Sequence, residues 1–175
     1  MKIALILLAA QGFLGAFDTL YYHEYKLRLP ARPYARHELM LHALRDFIYA
    51  LLFGTLGWLA WNGLLAWGLL LLLVAEIVLT LSDFLEEDRT RKLPPGERVM
   101  HALMGILYGT FLAYLLPALL HWGRLPTGLT LTDYGWLTWL LVVMAVGVLL
   151  SGLRDLMSAR EQKEWPRPFV PKETV

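Results

Sequence analysis

HELMLHALRDFIYALL, residues 37–52, places Glu38, His42 and Tyr49 on one stripe of an otherwise oily helix, because residues four apart share a face and seven more make about two turns. Fifty-nine residues on, GERVMHALMGILYGTF, residues 96–111, repeats the arrangement with Glu97, His101 and Tyr108. A carboxylate and an imidazole aimed the same way at the start of two hydrophobic helices is costly in lipid, so each pair is expected to face a protein interior.

The surrounding composition decides the solvent. Of 175 residues, 57% are hydrophobic and 18% charged, and long apolar runs recur along the chain. Five stretches, near 3–20, 43–62, 64–83, 100–120 and 136–153, reach the roughly 20 residues needed to cross a hydrocarbon layer of about 30 Å. The expected class is therefore an all-α integral membrane protein with five transmembrane helices, in a bacterial-type inner membrane or a plasma membrane.

Basic residues concentrate in 21–42 (Lys26, Arg28, Arg32, Arg36), in 84–99 (Arg89, Arg91, Lys92, Arg98) and after the fifth span, whereas the other connections hold only Arg124. By the positive-inside rule those segments are cytoplasmic and the N-terminus is outside. Trp58, Trp61, Trp67, Trp122, Trp136 and Trp139 fall at the opposite ends, where indoles favour the interface. MKIALILLAA at the start has some character of a signal peptide, but its apolar run continues to Asp18 and is read as the first span. There is no cysteine, which excludes disulfides and thiolate-held metals or clusters.

The two stripes belong to longer matching units. An offset of 65 lays Asp18 on Asp83, His23 on Asp88 and Gln11 on Glu76, and each connection holds a Leu-Pro pair. The first four spans thus read as a duplicated two-helix unit closing into a four-helix bundle, with 1–62 as the first repeat and 63–122 as the second. Residues 123–153 supply an outer loop and the fifth helix, and 154–175 a cytoplasmic tail, whose end EWPRPFVPKETV reads as an extended surface segment. The sites of repeated membrane folds commonly lie between the repeats.

Topology then brings Asp18, Glu38, His42, Asp83, Glu97 and His101 to the cytoplasmic end of the bundle. Carboxylates with imidazoles suit two transition-metal ions, with iron favoured and zinc the alternative. The design resembles soluble di-iron bundles, which take a Glu from each of two helices and Glu-x-x-His from the other two. Here the pairs are spaced i, i+4 instead of i, i+3, so the likeness is of design, without family membership.

His23 and Asp88 are expected outer ligands, although Glu24, Glu86, Glu87 and Asp88 read first as solvated loop charge. Glu76 is expected to act as an added ligand, proton carrier or base. Tyr49 and Tyr108 serve as hydrogen-bond donors or redox neighbours, and Gln11 as a donor behind the ligands. His37 points about 100° away from Glu38 and stands outside the set. Arg45 is a candidate partner for Asp18 or Asp83. Span five, without an ionisable group in 136–150, is assigned to packing, lateral access or homo-oligomer contact.

The expected function is a membrane oxidoreductase acting on a lipid-like or quinone-like molecule. The alternatives are a zinc hydrolase of a lipid, a metal or proton transporter, and a b-type haem protein with His42 and His101 as axial ligands. No basic face with stacking aromatics indicates nucleic acid, and no P-loop or dinucleotide fingerprint is present.

Overall fold

A computed structural model describes residues 1–162. Five helices are long and apolar enough to cross a membrane. They are α1 (Lys2–Phe17), α2 (Arg36–Leu56), α3 (Leu64–Thr90), α4 (Pro95–Trp122) and α5 (Trp136–Glu161). The extended tail read at 164–175 lies outside the described residues.

The hydropathy runs mark the oily centres of these helices and miss their polar ends. α1 continues as a π-helix, Asp18–Leu27, and α2 already begins at Arg36, so the 21–42 loop shrinks to the short connection 28–35. Likewise α3 reaches Thr90 and α4 starts at Pro95, leaving 91–94 in place of 84–99. The second span ends at Leu56, because Leu59–Asn62 is a strand, β1, pairing antiparallel with β2 (Gly128–Leu131) from Leu59↔Leu131 to Asn62↔Gly128. Residues 154–161, read as tail, complete α5. The added stretches carry the charges that ended the hydropathy runs, and they are helical because their backbone bonds continue the span.

α1 packs chiefly on α4, and α2 packs on α5 first and on α3 second, while the sequence neighbours α1 and α2 barely touch. The longest helix contact is between α2 and α5. Gly152 permits it: a Cβ there would come within 2.9 Å of the Asp46 Cβ and 3.3 Å of the Ala43 carbonyl. Gly152→Leu is therefore expected to destabilise the protein by about 1–3 kcal/mol, the usual cost of overpacking. An unchanged unfolding midpoint in detergent would show that this close approach is unimportant.

The half of the bundle next to the strands is a dry core of Leu52, Phe53, Leu56, Leu69, Phe111 and Leu115. At Gly63, φ is +61° and a Cβ would press on Thr127, which fixes glycine at the corner between β1 and α3. The opposite end, carrying 28–35 and 91–94, is where the ionisable groups gather. There Gln162 donates to the Pro30 carbonyl at 2.8 Å and Arg36 Nε to Ala159 at 3.2 Å, tying the end of α5 to the first connection.

Candidate metal centre

α1 with its π-helical extension, α2, α3 and α4 each bring a pair of side chains one turn apart to this end. Glu38 with His42, Asp83 with Glu87, and Glu97 with His101 use the i, i+4 spacing of an α-helix. On the first helix the pair is Asp18 with His23, spaced i, i+5. The π-helix makes that possible, because its wider turn brings i+5 onto the face that i+4 occupies in an α-helix.

His23 therefore takes the place that Glu87, rather than Asp88, takes on α3. Asp88 is exposed and lies 3.5 Å from Arg98, so the outer-ligand role expected for it is corrected to a surface ion pair. Glu86 and Glu87, read as solvated, are buried at 5% and 0% exposure. The signal for Glu87 was present: Glu76, Asp83 and Glu87 fall at i, i+7 and i+11, one helical stripe.

The eight side chains form two layers. In the deeper layer, His101 Nε2 lies 3.3 Å from Asp18 Oδ2, and His42 Nε2 lies 3.1 Å from Asp83 Oδ2. The α4 imidazole thus faces the aspartate that follows α1, and the α2 imidazole the aspartate of α3. In the layer nearer the connections, His23 Nε2 lies 3.3 Å from Glu97 Oε1, and His101 Nδ1 reaches across at 3.4 Å to Glu87 Oε2. The His23 ring stacks on His42 with centroids 4.6 Å apart.

Two sets of donor atoms converge here, His23, Glu87, Glu97 and His101 in one and Glu38, His42 and Glu87 in the other, each set mutually within 4.8 Å. Such a spread closes around an ion with modest side-chain rotation, since donors roughly 2.0–2.2 Å from zinc stand somewhat nearer one another. Glu87 belongs to both sets. Asp18 and Asp83 belong to neither; they lie against the imidazoles, a position suited to fixing ring orientation.

Arg91 lies over the upper layer. Its Nη2 is 2.8 Å from Glu38 Oε1, 2.9 Å from Glu87 Oε1 and 2.8 Å from Glu97 Oε1. Its Nε and Nη1 take the second oxygens of Glu38 at 3.3 Å and Glu97 at 3.0 Å. Burial opposes the charge on Arg91, but hydrogen bonds to Glu97 and Glu38 outweigh it and hold the guanidinium above its ordinary pKa. The sequence placed Arg91 among loop charges that set topology; its descent into the bundle follows from the shortness of 91–94.

Beneath the imidazoles, Arg45 Nη1 donates to Asp83 at 2.6 Å, and Arg45 Nε lies 3.9 Å from Glu76. Glu76 Oε1 accepts from Thr80 at 2.8 Å, so this carboxylate sits below the donor sets, outside both. Gln11 Nε2 donates to Tyr49 Oη at 3.4 Å, and the Tyr49 and Tyr108 rings meet edge to face at 6.2 Å. Asp155 of α5, missed because the sequence reading ended that span at 153 and put 154–175 in the tail, approaches His42 Nδ1 at 4.0 Å. His37 is half exposed and lies 3.5 Å from Glu86.

Charge and unsatisfied atoms concentrate together. Asp18, Glu38, Glu76, Asp83, Glu87 and Glu97 are all at least nine-tenths buried and are met by two guanidinium groups, Arg45 and Arg91. Four negative charges are left for protons on the imidazoles and carboxylates, or for bound cations, to offset. Asp18 Oδ1 and Asp83 Oδ1 are buried without a hydrogen-bond partner, and His23 Nε2, His42 Nε2 and Glu87 Oε2 meet only imidazole–carboxylate contacts. Native interiors rarely leave buried carboxylate oxygens unpaired. Comparison with known proteins finds no matching family model, no matching curated sequence and no matching solved structure.

Proposed function

We propose that this protein is a membrane-embedded oxidoreductase holding two metal ions, with iron favoured, at the cytoplasmic end of a duplicated four-helix bundle. The observation that carries the reading is the pair of buried donor sets joined by Glu87, each with its ligand atoms within 4.8 Å of one another. One ion is assigned to His23, Glu97 and His101, the other to Glu38 and His42, with Glu87 between them. The bound pair would supply redox chemistry, and mixed carboxylate and imidazole donors suit iron.

The chain's own groups have separate tasks in this reading. Asp18 and Asp83 orient His101 and His42. Arg45 holds Asp83 and offsets charge. Tyr49 and Tyr108, between the donors and the apolar core, are placed to relay an electron or a proton, with Gln11 fixing the Tyr49 hydroxyl. Glu76 serves as a proton store beneath the site. The substrate is a lipid-soluble molecule, and the basic connections put this end of the bundle, with the end of α5, on the cytoplasmic side, leaving the N-terminus outside.

The duplication is supported by the crossed pairing of Asp18 with His101 and Asp83 with His42, and by the reciprocal packing of α1 on α4 and α3 on α2. A transporter reading is disfavoured because the stripes beyond Tyr49 and Tyr108 run into Phe53, Phe111 and Leu115.

Purification in mild detergent with elemental analysis and an absorption spectrum tests the proposal. About two equivalents of iron per chain are expected, with absorbance that changes on reduction and metal content that falls in His42→Ala and in His101→Ala. The same stoichiometry of zinc, colourless and redox-silent, would move the function to lipid hydrolysis. Metal-free protein from metal-supplemented medium would end the metal reading altogether.

A further inference from the structure

We infer that a membrane amphiphile with one hydrocarbon chain enters sideways between α1 and α5 and lies head-first against the donor cluster. The inference rests on the preceding reading for the chemistry and on a cavity for the route. That cavity, about 550 Å³, falls in the size range of small-ligand sites and is walled by α1, the π-helix, α2 and α5.

Its two ends differ in kind. Asp18, His42, Asp83 and His101 line one end, and two of them present buried oxygens without a hydrogen-bond partner, Asp18 Oδ1 and Asp83 Oδ1. Phe53 and Met144, which meet around Gly12, line the other. From His42 to Phe53 along α2 is about 16 Å at 1.5 Å per residue, so the polar end and the apolar end stand at different membrane depths. A molecule matching both has a small polar head and an elongated tail.

The mouth faces lipid. Its rim carries Phe13, Leu20 and Leu150, which are 61%, 64% and 61% exposed on stretches assigned to the membrane. Towards the connections the route is closed by Arg154, which bridges Glu24 of the π-helix at 2.9 Å and Asp155 at 2.7 Å. Glycine keeps the cleft open. A Cβ at Gly15 on α1 or Gly147 on α5 would meet nothing within 4 Å, whereas one at Gly12 would strike the Phe53 ring at 2.7 Å. Larger side chains at 15 and 147 therefore fill the cleft without colliding with the helices at Cβ.

The test uses protein in lipid nanodiscs and two photoactivatable probes, hexadecanol with a diazirine beside the hydroxyl or at the chain end. Peptide mapping after illumination is expected to place the first label near Thr19 and Asp46 and the second near Phe53 and Met144. Gly147→Leu and, separately, Gly15→Leu should lower cleft labelling about tenfold, equivalent to one decade of affinity, with unfolding midpoint and metal content unchanged. Labelling spread over outward residues such as Leu71 and Val78 and indifferent to both variants would overturn the inference, as would reversed positions for the two probes. Metal content of the same samples separates the proposals: cleft labelling in metal-free protein sinks the metal centre alone, and diffuse labelling of metal-loaded protein sinks the cleft alone.

Discussion

Glu87→Gln is expected to empty both ion positions, taking the chain from about two equivalents of metal to well below one. Glu87 is the single side chain common to the two donor sets; its Oε2 faces His101 Nδ1 at 3.4 Å while Oε1 accepts from Arg91. Glutamine keeps the size and one carbonyl oxygen but removes the negative charge and turns the second oxygen into a donor, which repels a cation. His42→Ala deprives only the set of Glu38 and His42, and His101→Ala only the other. Each should therefore lower the metal content by about one equivalent, so the three variants form a pattern that unfolding alone would not produce. Asp88→Asn, on an exposed residue paired with Arg98, provides the matched control and should bind metal as wild type does. Full metal content in Glu87→Gln, read by elemental analysis, would refute a shared carboxylate.

The membrane character and the helix count were legible because apolar length is a strong signal that tertiary context rarely reverses. The Glu38–His42 and Glu97–His101 pairs were legible for a local reason: i, i+4 spacing already sets two side chains on one face. What escaped depended on where each helix stopped. Hydropathy ends a span at the first cluster of charges, yet His23, Glu87, Arg91 and Asp155 all lie past such an end and are drawn inward by polar partners: Glu97 for His23, each other for Glu87 and Arg91, and His42 for Asp155. The match of His23 to Asp88 failed for a subtler reason. A constant offset assumes a constant residue count per turn, and the π-helix from Asp18 to Leu27 breaks that assumption by one residue. A repeat alignment that required both shallow residues to lie beside their aspartates would have paired His23 with Glu87.

Arg91→Met should distinguish a fixed structural cation from one that shares its place with metal. In the present arrangement the guanidinium meets both oxygens of Glu38, both of Glu97 and one of Glu87. Removing one partner of a buried ionic group costs about 3–5 kcal/mol, because the remaining charges are left without compensation. That loss is expected in metal-free protein, seen as a lower unfolding midpoint. Divalent ions bound by the same carboxylates would restore much of what the guanidinium supplied, and ligand binding adds stability in proportion to the logarithm of ligand concentration over Kd. The difference between wild type and Arg91→Met should therefore shrink when metal is added, and the variant should bind metal more tightly, since its donors no longer have to release a resident cation. The position of Arg91 makes that exchange feasible: it belongs to the connection 91–94, where a side chain can withdraw without displacing α3 or α4. An equal loss of stability with and without metal, together with unchanged metal affinity, would mean that Glu38 and Glu97 remain ion-pair partners of Arg91 and that the ions, if bound, rely on the imidazoles and aspartates of the deeper layer.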